Sequence, residues 1–261
     1  MTASIFLNWA DEEPASVNAT TLHVLVVVFV ATLIRSAFGF GEALIAVPLL
    51  ALFIPLKIAA PLAVLVSITI AGVIVAQDWK KIHFRSTAWL VGATLLGIPL
   101  GLLLLTSSHQ RGVKIGLGSL IVAFSLYSLV GKRPPELHRD RRGWLLGCGF
   151  LAGVLGGAYG MNGPPLVIYG SMRRWSAQHF RATLQGYFLP ASTVGMIGYW
   201  LAGLWTRPVT HYYLVSLIAI FPAILLGRVI NHRLSEGAFL RYVYAGLAVI
   251  GALLIAQSGR L

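Results

Sequence analysis

Charged residues are scarce in this chain, and acidic ones are the scarcest. Only 11% of the 261 residues are charged, with 20 Lys and Arg against 8 Asp and Glu, whereas 57% are apolar. Soluble domains carry about 25% charged residues, so an ordinary soluble globular fold is excluded. In a soluble protein the net charge of +12 would indicate nucleic acid as a partner. Here the basic residues lie between long apolar runs, which indicates a membrane protein that does not bind nucleic acid.

Cysteine is almost absent, and the common catalytic motifs are absent. Cys148 stands alone, so an internal disulfide or a thiolate metal cluster cannot form. We expect Cys148 to be a small apolar residue inside a helix. The sequence contains no GxxxxGK[ST] nucleotide motif and no HExxH zinc motif. We therefore predict no catalytic residues, no metal site and no cofactor, and we expect that the chain is not an enzyme.

Long apolar runs determine the architecture. A hydrocarbon core about 30 Å thick needs about 20 apolar residues in a helix. The sequence predicts a transmembrane helix in each run that meets this length: 58–77, 86–106, 112–131, 182–204, 210–230 and 238–258.

Glycine and proline interrupt two further apolar regions, 22–55 and 144–169. The first is cut by Gly39-Phe40-Gly41-Glu42, and the second by Gly160 and Asn162-Gly163-Pro164-Pro165. Glycine permits backbone angles that other residues avoid, and proline lacks a backbone donor, so both regions are predicted to be broken helices. We expect each to enter the membrane and return to the side it came from, as a re-entrant hairpin or as two short helices.

The two interrupted regions indicate an internal repeat. Aligning Ala37-Phe38-Gly39 with Ala158-Tyr159-Gly160 places one broken segment and three full spans in the same order in each half. Each half then crosses the membrane an odd number of times, so the halves have inverted topology, as in many secondary transporters. The predicted fold is an all-α multi-pass membrane protein with two inverted-topology repeats, each a broken helical hairpin followed by three transmembrane helices. The expected regions are a short N-terminal tail (1–21), a first repeat (22–131), a basic connecting loop (132–142) and a second repeat (143–258).

The basic residues indicate the orientation. If each broken segment returns to its own side, most of the 20 basic residues gather on one face, including Arg139, Arg141 and Arg142. Cytoplasmic loops concentrate Lys and Arg, so the 132–142 loop is predicted to be cytoplasmic and both termini to lie outside the cytoplasm. The lipid bilayer is therefore an expected partner of this chain.

The paired breaks are the predicted binding site. A half-helix that begins at a glycine presents free N–H groups and the positive end of its dipole, which attract an anion. The alternative is that small residues there only let helices pack closely. Gln185 lies in a predicted span, where it either lines the site or bonds between helices. The substrate-binding candidates are Arg35, Gly39, Phe40, Gly41, Tyr159, Gly160, Asn162, Gly163 and Gln185.

Arg35 and Glu42 are charges deep in the first broken segment. Arg35 lies roughly 20 Å along the first arm, and Glu42 follows the break. Charges at such depth face a partner or a polar cavity. In one hypothesis Arg35 binds an anionic substrate and Glu42 carries a coupled proton; in the other they neutralise each other as a structural pair. The two hypotheses are compatible if the substrate competes with Glu42 for Arg35.

The residues at the breaks resemble the TauE/SafE group of membrane transporters. Gly39-Phe40-Gly41 with Val47-Pro48-Leu49 matches its first break, and the run Gly160–Leu166 with Phe180-Arg181-Ala182-Thr183 matches its second. The resemblance implies a multi-pass carrier of the bacterial inner membrane, in a group linked to transport of sulfite, sulfonates and related organic anions. Family members usually continue the first break with more glycine, where this chain has Glu42.

The sequence thus predicts a secondary transporter of a small anion that works by alternating access, with protons or another ion as the candidate coupling partner. Two hypotheses from other classes stay open. One is an intramembrane enzyme. The other is a non-transporting membrane scaffold or receptor, which would tolerate replacement of Arg35 and Glu42.

Overall fold

The computed structural model describes residues 19–78, 84–107, 109–130, 137, 142–173, 177–231, 247–253 and 255–256. Helix is the only regular secondary structure within these ranges. Most of the predicted tail and of the connecting loop lies outside the described residues, as does the beginning of the span predicted at 238–258.

The helices follow the predicted apolar runs closely. In chain order they are α1 (Ala19–Phe38), α2 (Glu42–Leu50), α3 (Leu56–Asp78), α4 (Phe84–Thr106), α5 (Gln110–Val130), α6 (Arg142–Tyr159), α7 (Gly163–Met172), α8 (Ala177–Leu201) and α9 (Arg207–Asn231). Residues 247–253 and 255–256 are also helical, in the last predicted span. Cys148 is buried in α6, as expected for a small apolar residue.

Five of the described helices are long and apolar enough to cross a membrane: α1, α3, α4, α5 and α9. The span predicted at 182–204 is helical, as α8, but it is not among these five. Its polar residues, Gln185, Ser192 and Thr193 among them, lower its hydropathy. Many of its described residues are buried against other helices, so it does not need an apolar surface all round.

Left-handed glycines end the helix before each predicted break. Gly39 has φ 86° directly after α1, and Gly160 has φ 68° directly after α6. Their N–H groups donate to the carbonyl oxygens of Arg35 and Gly156, at 2.6 and 2.9 Å, which closes the last turn of each helix. Gly160 also lacks room for a side chain, because a Cβ there would lie 2.8 Å from the carbonyl oxygen of Ala60. The helices therefore stop at equivalent places for the same local reason.

The two ends of each broken segment lie together. At the beginning of α1, His23 stacks on Phe53, which follows α2, with the ring centroids 4.8 Å apart. In the second segment the N–H of Leu137, which precedes α6, donates to the carbonyl oxygen of Met172 in α7 at 2.8 Å. Arg173 Nη1 donates to the carbonyl oxygen of Leu137 at 2.7 Å. The beginning and the end of each broken segment are therefore in contact.

Glycines bring the helix end before each break close to a helix of the other half of the chain. The most extensive helix contacts are α4 with α6 and α1 with α9. A Cβ on Gly101 of α4 would lie 2.7 Å from the backbone nitrogen of Ala158, and one on Gly227 of α9 would lie 3.1 Å from that of Ala37. A glycine thus lets a helix of one half pack closely against the residues that precede a break in the other half.

Candidate functional site

A small cavity lies between the two helix breaks. Its volume is about 20 Å³, which is room for about one water molecule. Both breaks contribute to its wall, together with α3, α5 and α8. The lining residues include Arg35, Phe40, Gly41, Glu42, Ser67, Phe124, Gly160, Asn162, Gly163 and Phe188.

Arg35 joins four helices at this cavity. It lies in the last turn of α1 and is almost completely buried. Its Nη1 donates to Glu42 Oε2 and to Ser67 Oγ, both at 2.6 Å. Its Nη2 donates to Gln185 Oε1 at 2.7 Å, and the ring of Phe188 faces the guanidinium carbon with its centroid 4.7 Å away. Such a buried guanidinium is stable only because charge, hydrogen bonds and a ring surround it.

Glu42 is the first residue of α2, where the helix dipole favours a negative charge. Both members of the Arg35–Glu42 ion pair have side chains that are 2% exposed. Of the two carboxylate oxygens of Glu42, Oε2 accepts from Arg35, whereas Oε1 is buried and has no hydrogen-bond partner among the described residues. A buried oxygen without a donor is unfavourable, so Oε1 is the polar atom of this site with the most to gain from a proton or a new donor.

Gln185 links the first break to the second half of the chain. Its Oε1 accepts from Arg35, and its Nε2 donates to the carbonyl oxygen of Gly39 at 2.7 Å. These two contacts fix the orientation of the amide. Because Gln185 lies on α8, every shift of α8 relative to α1 must change the position of the Arg35 guanidinium or break these bonds.

The polar side chain that the second break contributes to the cavity is the amide of Asn162, whereas the first break contributes the guanidinium of Arg35. Asn162 lines the cavity and directly precedes α7. A Cβ on Gly156 would lie 2.6 Å from Asn162 Nδ2, so the glycine makes room for this amide. Gly156 is also the residue that aligns with Arg35 in the repeat, and its carbonyl oxygen accepts a bond from the Tyr199 hydroxyl at 2.7 Å. Among the described residues that line the cavity, the one cation is Arg35, before the first break.

Proline and glycine begin the second half-helix without strain. Gly163, Pro164 and Pro165 form the first turn of α7, where backbone N–H groups have no intrahelical partner and proline is tolerated. This explains how a sequence that breaks helices elsewhere can begin one at the cavity.

The structure brings most of the predicted site residues together. Arg35, Phe40, Gly41, Glu42, Gly160, Asn162 and Gly163 line the cavity. Gly39 and Gln185 do not line it but bond to each other and, through Gln185, to Arg35. Tyr159 lies apart, against α5, since a Cβ on Gly116 would be 2.7 Å from its hydroxyl oxygen.

Two contacts of Arg35 are not among the predicted substrate-binding residues. Ser67 lies in the span predicted at 58–77, where a hydroxyl either bonds between helices or lines the site, and it accepts from Arg35 and lines the cavity. Phe188 carried no polar signal at all. Its spacing of three residues from Gln185 places both on one face of α8, and that spacing is the signal that could have revealed it.

The chain is similar to one protein family over the region that contains this site. The family model described as Sulfite exporter TauE/SafE matches residues 24–254, which include both breaks and the cavity between them. No curated protein and no solved structure matches the chain at a significant level.

Proposed function

Because the chain belongs to the sulfite exporter TauE/SafE family, we propose that it is a secondary transporter of a small anion such as sulfite, a sulfonate or a related organic anion. The observation that carries this proposal is the buried Arg35 guanidinium on the wall of the cavity between the two breaks. A guanidinium presents a planar fork of donors that matches the oxygens of a sulfonate or carboxylate. Ionisable groups at membrane depth mark substrate pathways.

The anion takes the place of the Glu42 carboxylate beside Arg35. In the structure that carboxylate accepts from Nη1 at 2.6 Å, as an oxyanion substrate would. Arg35 Nε has no hydrogen-bond partner among the described residues, so it offers a further donor. Asn162, just before α7, also lines this cavity. Binding at this position brings the substrate into contact with both halves of the chain.

Alternating access follows from an inverted relation between the halves 22–131 and 143–258. Three observations support it: the left-handed glycines after α1 and α6, the joined ends of each broken segment, and the equivalent packing of Gly101 and Gly227. A cavity of about 20 Å³ holds about one water molecule, so the site must open to admit a substrate. Movement of one half against the other then opens the site to each side in turn.

Basic residues support a bacterial inner-membrane protein with one basic, cytoplasmic end. At this end Arg142 lies over the ring of Trp89, 5.7 Å from its centroid. Arg228 Nη1 donates to Gln77 Oε1 at 3.4 Å, which places the ends of α9 and α3 together. The positive-inside rule assigns this end to the cytoplasm, and both termini then lie on the opposite side.

Flux measurements on the purified chain in lipid vesicles test the proposal. Vesicles loaded with unlabelled sulfite, methanesulfonate or succinate are diluted into the labelled anion, and counterflow is followed. We expect counterflow with at least one sulfur oxyanion. Arg35→Gln should weaken apparent affinity about ten- to a hundredfold, as expected for loss of a hydrogen-bonded charge. Arg207→Gln, which removes an exposed arginine at the start of α9, is the matched control. Absence of counterflow for every anion of this panel would refute the proposal.

A further inference from the structure

We propose that Glu42 takes up one proton for each anion that binds beside Arg35, so that the chain carries monovalent anions, sulfonates in particular, together with a proton and without net charge. This inference rests on the proposed function and adds the coupling ion and the charge of the substrate. It follows from the charge balance of the cavity.

Arg35 and Glu42 are the charged residues on the cavity wall within the described part of the chain, and they neutralise each other. An anion added to this neutral pair would leave a net negative charge in a site where both side chains are 2% exposed. Uncompensated charge is strongly unfavourable in such surroundings. With Glu42 protonated, the anion and Arg35 form the neutral pair instead, and the total charge of the site is unchanged.

Among the residues that the structure describes, no other group at the cavity can supply or accept this proton. The other residues that line the cavity include Arg35 of α1, Ser67 of α3, Phe124 of α5, Asn162 just before α7 and Phe188 of α8. Arginine stays protonated in proteins, and the others do not titrate. Glu42 therefore receives any proton that enters with the anion.

The unused oxygen of Glu42 supports the same step. Oε1 is buried and accepts no hydrogen bond from the described residues, whereas Oε2 pairs with Arg35. Protonation weakens the bond from Arg35 to this side chain, because a neutral carboxyl group is a poorer acceptor than a carboxylate. The donor Nη1 is thereby released to the anion.

Proton counting on the wild-type chain tests the inference directly. Methanesulfonate is the probe, because it remains a monovalent anion at every pH used and cannot itself carry the proton. Vesicles that contain a pH-sensitive dye receive methanesulfonate, and we expect about one proton to enter with each anion, as proton linkage requires. An inward pH gradient of one unit should support about tenfold accumulation, and a potassium diffusion potential should leave the flux unchanged.

Two variants distinguish the effect of the Glu42 charge on coupling from the effect of a lost hydrogen bond to Arg35. Glu42→Gln imitates the protonated side chain in size and keeps an acceptor for Arg35, but it leaves Arg35 uncompensated in the empty site, so we expect counterflow to continue at a reduced rate. Accumulation should then follow the membrane potential and no longer the pH gradient. Ser67→Ala removes a neutral partner of Arg35, so it should slow the flux but keep the ratio of protons to anions.

The possible results are distinct from those that decide the proposed function. Methanesulfonate flux without proton entry in the wild type overturns the inference and leaves anion transport standing, whatever the variants do. Accumulation by Glu42→Gln that still follows the pH gradient also overturns it. Exchange of sulfite with no methanesulfonate flux refutes sulfonates as the substrate class, whereas absence of counterflow for all anions refutes the proposed function itself.

Discussion

The carbonyl oxygen of Gly39 accepts a hydrogen bond from Gln185 Nε2 at 2.7 Å. Gly39 follows the last residue of α1, where backbone carbonyl groups have lost their intrahelical donors. A side chain of the second half of the chain thus supplies the hydrogen-bond donor that the Gly39 carbonyl group lacks at the first break. Because the same amide also accepts from Arg35, Gln185 holds the guanidinium and the break in one fixed relation.

We expect Gln185→Leu to impair positioning of Arg35. The change leaves two buried polar groups without partners and should lower the free energy of unfolding by about 1–3 kcal/mol. Thermal unfolding in detergent and anion counterflow measure the two effects. Gln185→Glu restores the acceptor for Arg35 but removes the donor to Gly39 and adds a second negative charge beside Arg35, so it should bind the anion more weakly than the wild type. Gln77→Leu, which removes a weakly bonded glutamine at the end of α3, is the control. An unchanged affinity in Gln185→Leu would show that Arg35 is positioned without this bond.

The helix order and the breaks could be predicted from the sequence because both depend on local chemistry. Apolar runs of sufficient length marked α3, α4, α5 and α9, since the bilayer thickness sets the required length. Glycines marked the ends of α1 and α6, since the backbone there adopts positive φ. These properties act within a few residues of sequence, and no partner helix is needed to interpret them.

The contacts inside the site could not be predicted in the same way. The spacing of Gln185 and Phe188 places both on one face of α8, but it does not indicate which helix that face meets. Phe188 on the guanidinium and Tyr159 against α5 both result from helix packing between distant segments. Arg35 itself was identifiable because a charge at membrane depth demands a partner, but its contact with Ser67 depends on how α3 crosses α1.

Substitutions at Gly160 and Gly41 should separate the effect of backbone strain from the effect of a steric overlap. Both residues have positive φ, 68° and 98°, so alanine strains the backbone by about 1–2 kcal/mol at either one. At Gly160 the new Cβ would also lie 2.8 Å from the carbonyl oxygen of Ala60, whereas at Gly41 nothing lies within 4 Å. We therefore expect Gly160→Ala to lower the melting temperature more than Gly41→Ala. Equal shifts in the two variants would argue against the close approach of Gly160 to α3.

The close contact between α4 and α6 should depend on Gly101. A Cβ there would lie 2.7 Å from the backbone nitrogen of Ala158, and neither backbone can move independently of its helix. Overpacking of this kind costs about 1–3 kcal/mol. Gly92→Ala is the matched control, because Gly92 lies on the same helix and a Cβ added there would meet nothing within 4 Å. We expect Gly101→Ala to lower the melting temperature in detergent and Gly92→Ala to leave it unchanged or raise it.

A negative charge at Asn162 should oppose anion binding. Asn162→Asp would add a second carboxylate to the wall of a cavity that already contains Glu42, and like charges in such surroundings repel strongly. We expect counterflow of methanesulfonate to fall at least about tenfold, the change that corresponds to 1.4 kcal/mol. Asn162→Ala removes the amide without adding charge and should have the smaller effect. If both variants lose the same flux, Asn162 acts through the conformation of the break and not through charge.

Cysteine labelling in intact cells should test the topology of the first broken segment. In a Cys148→Ala background, single cysteines replace His23 and Phe53, which stack at the two ends of this segment. Arg207 and Arg142, exposed at the beginning of α9 and of α6, provide the references for the two sides. An impermeant maleimide should label His23→Cys, Phe53→Cys and Arg207→Cys from outside, and Arg142→Cys only after the membrane is opened. Labelling of the His23 and Phe53 positions from opposite sides would contradict a segment that returns to its own side, and with it the inverted relation between the halves.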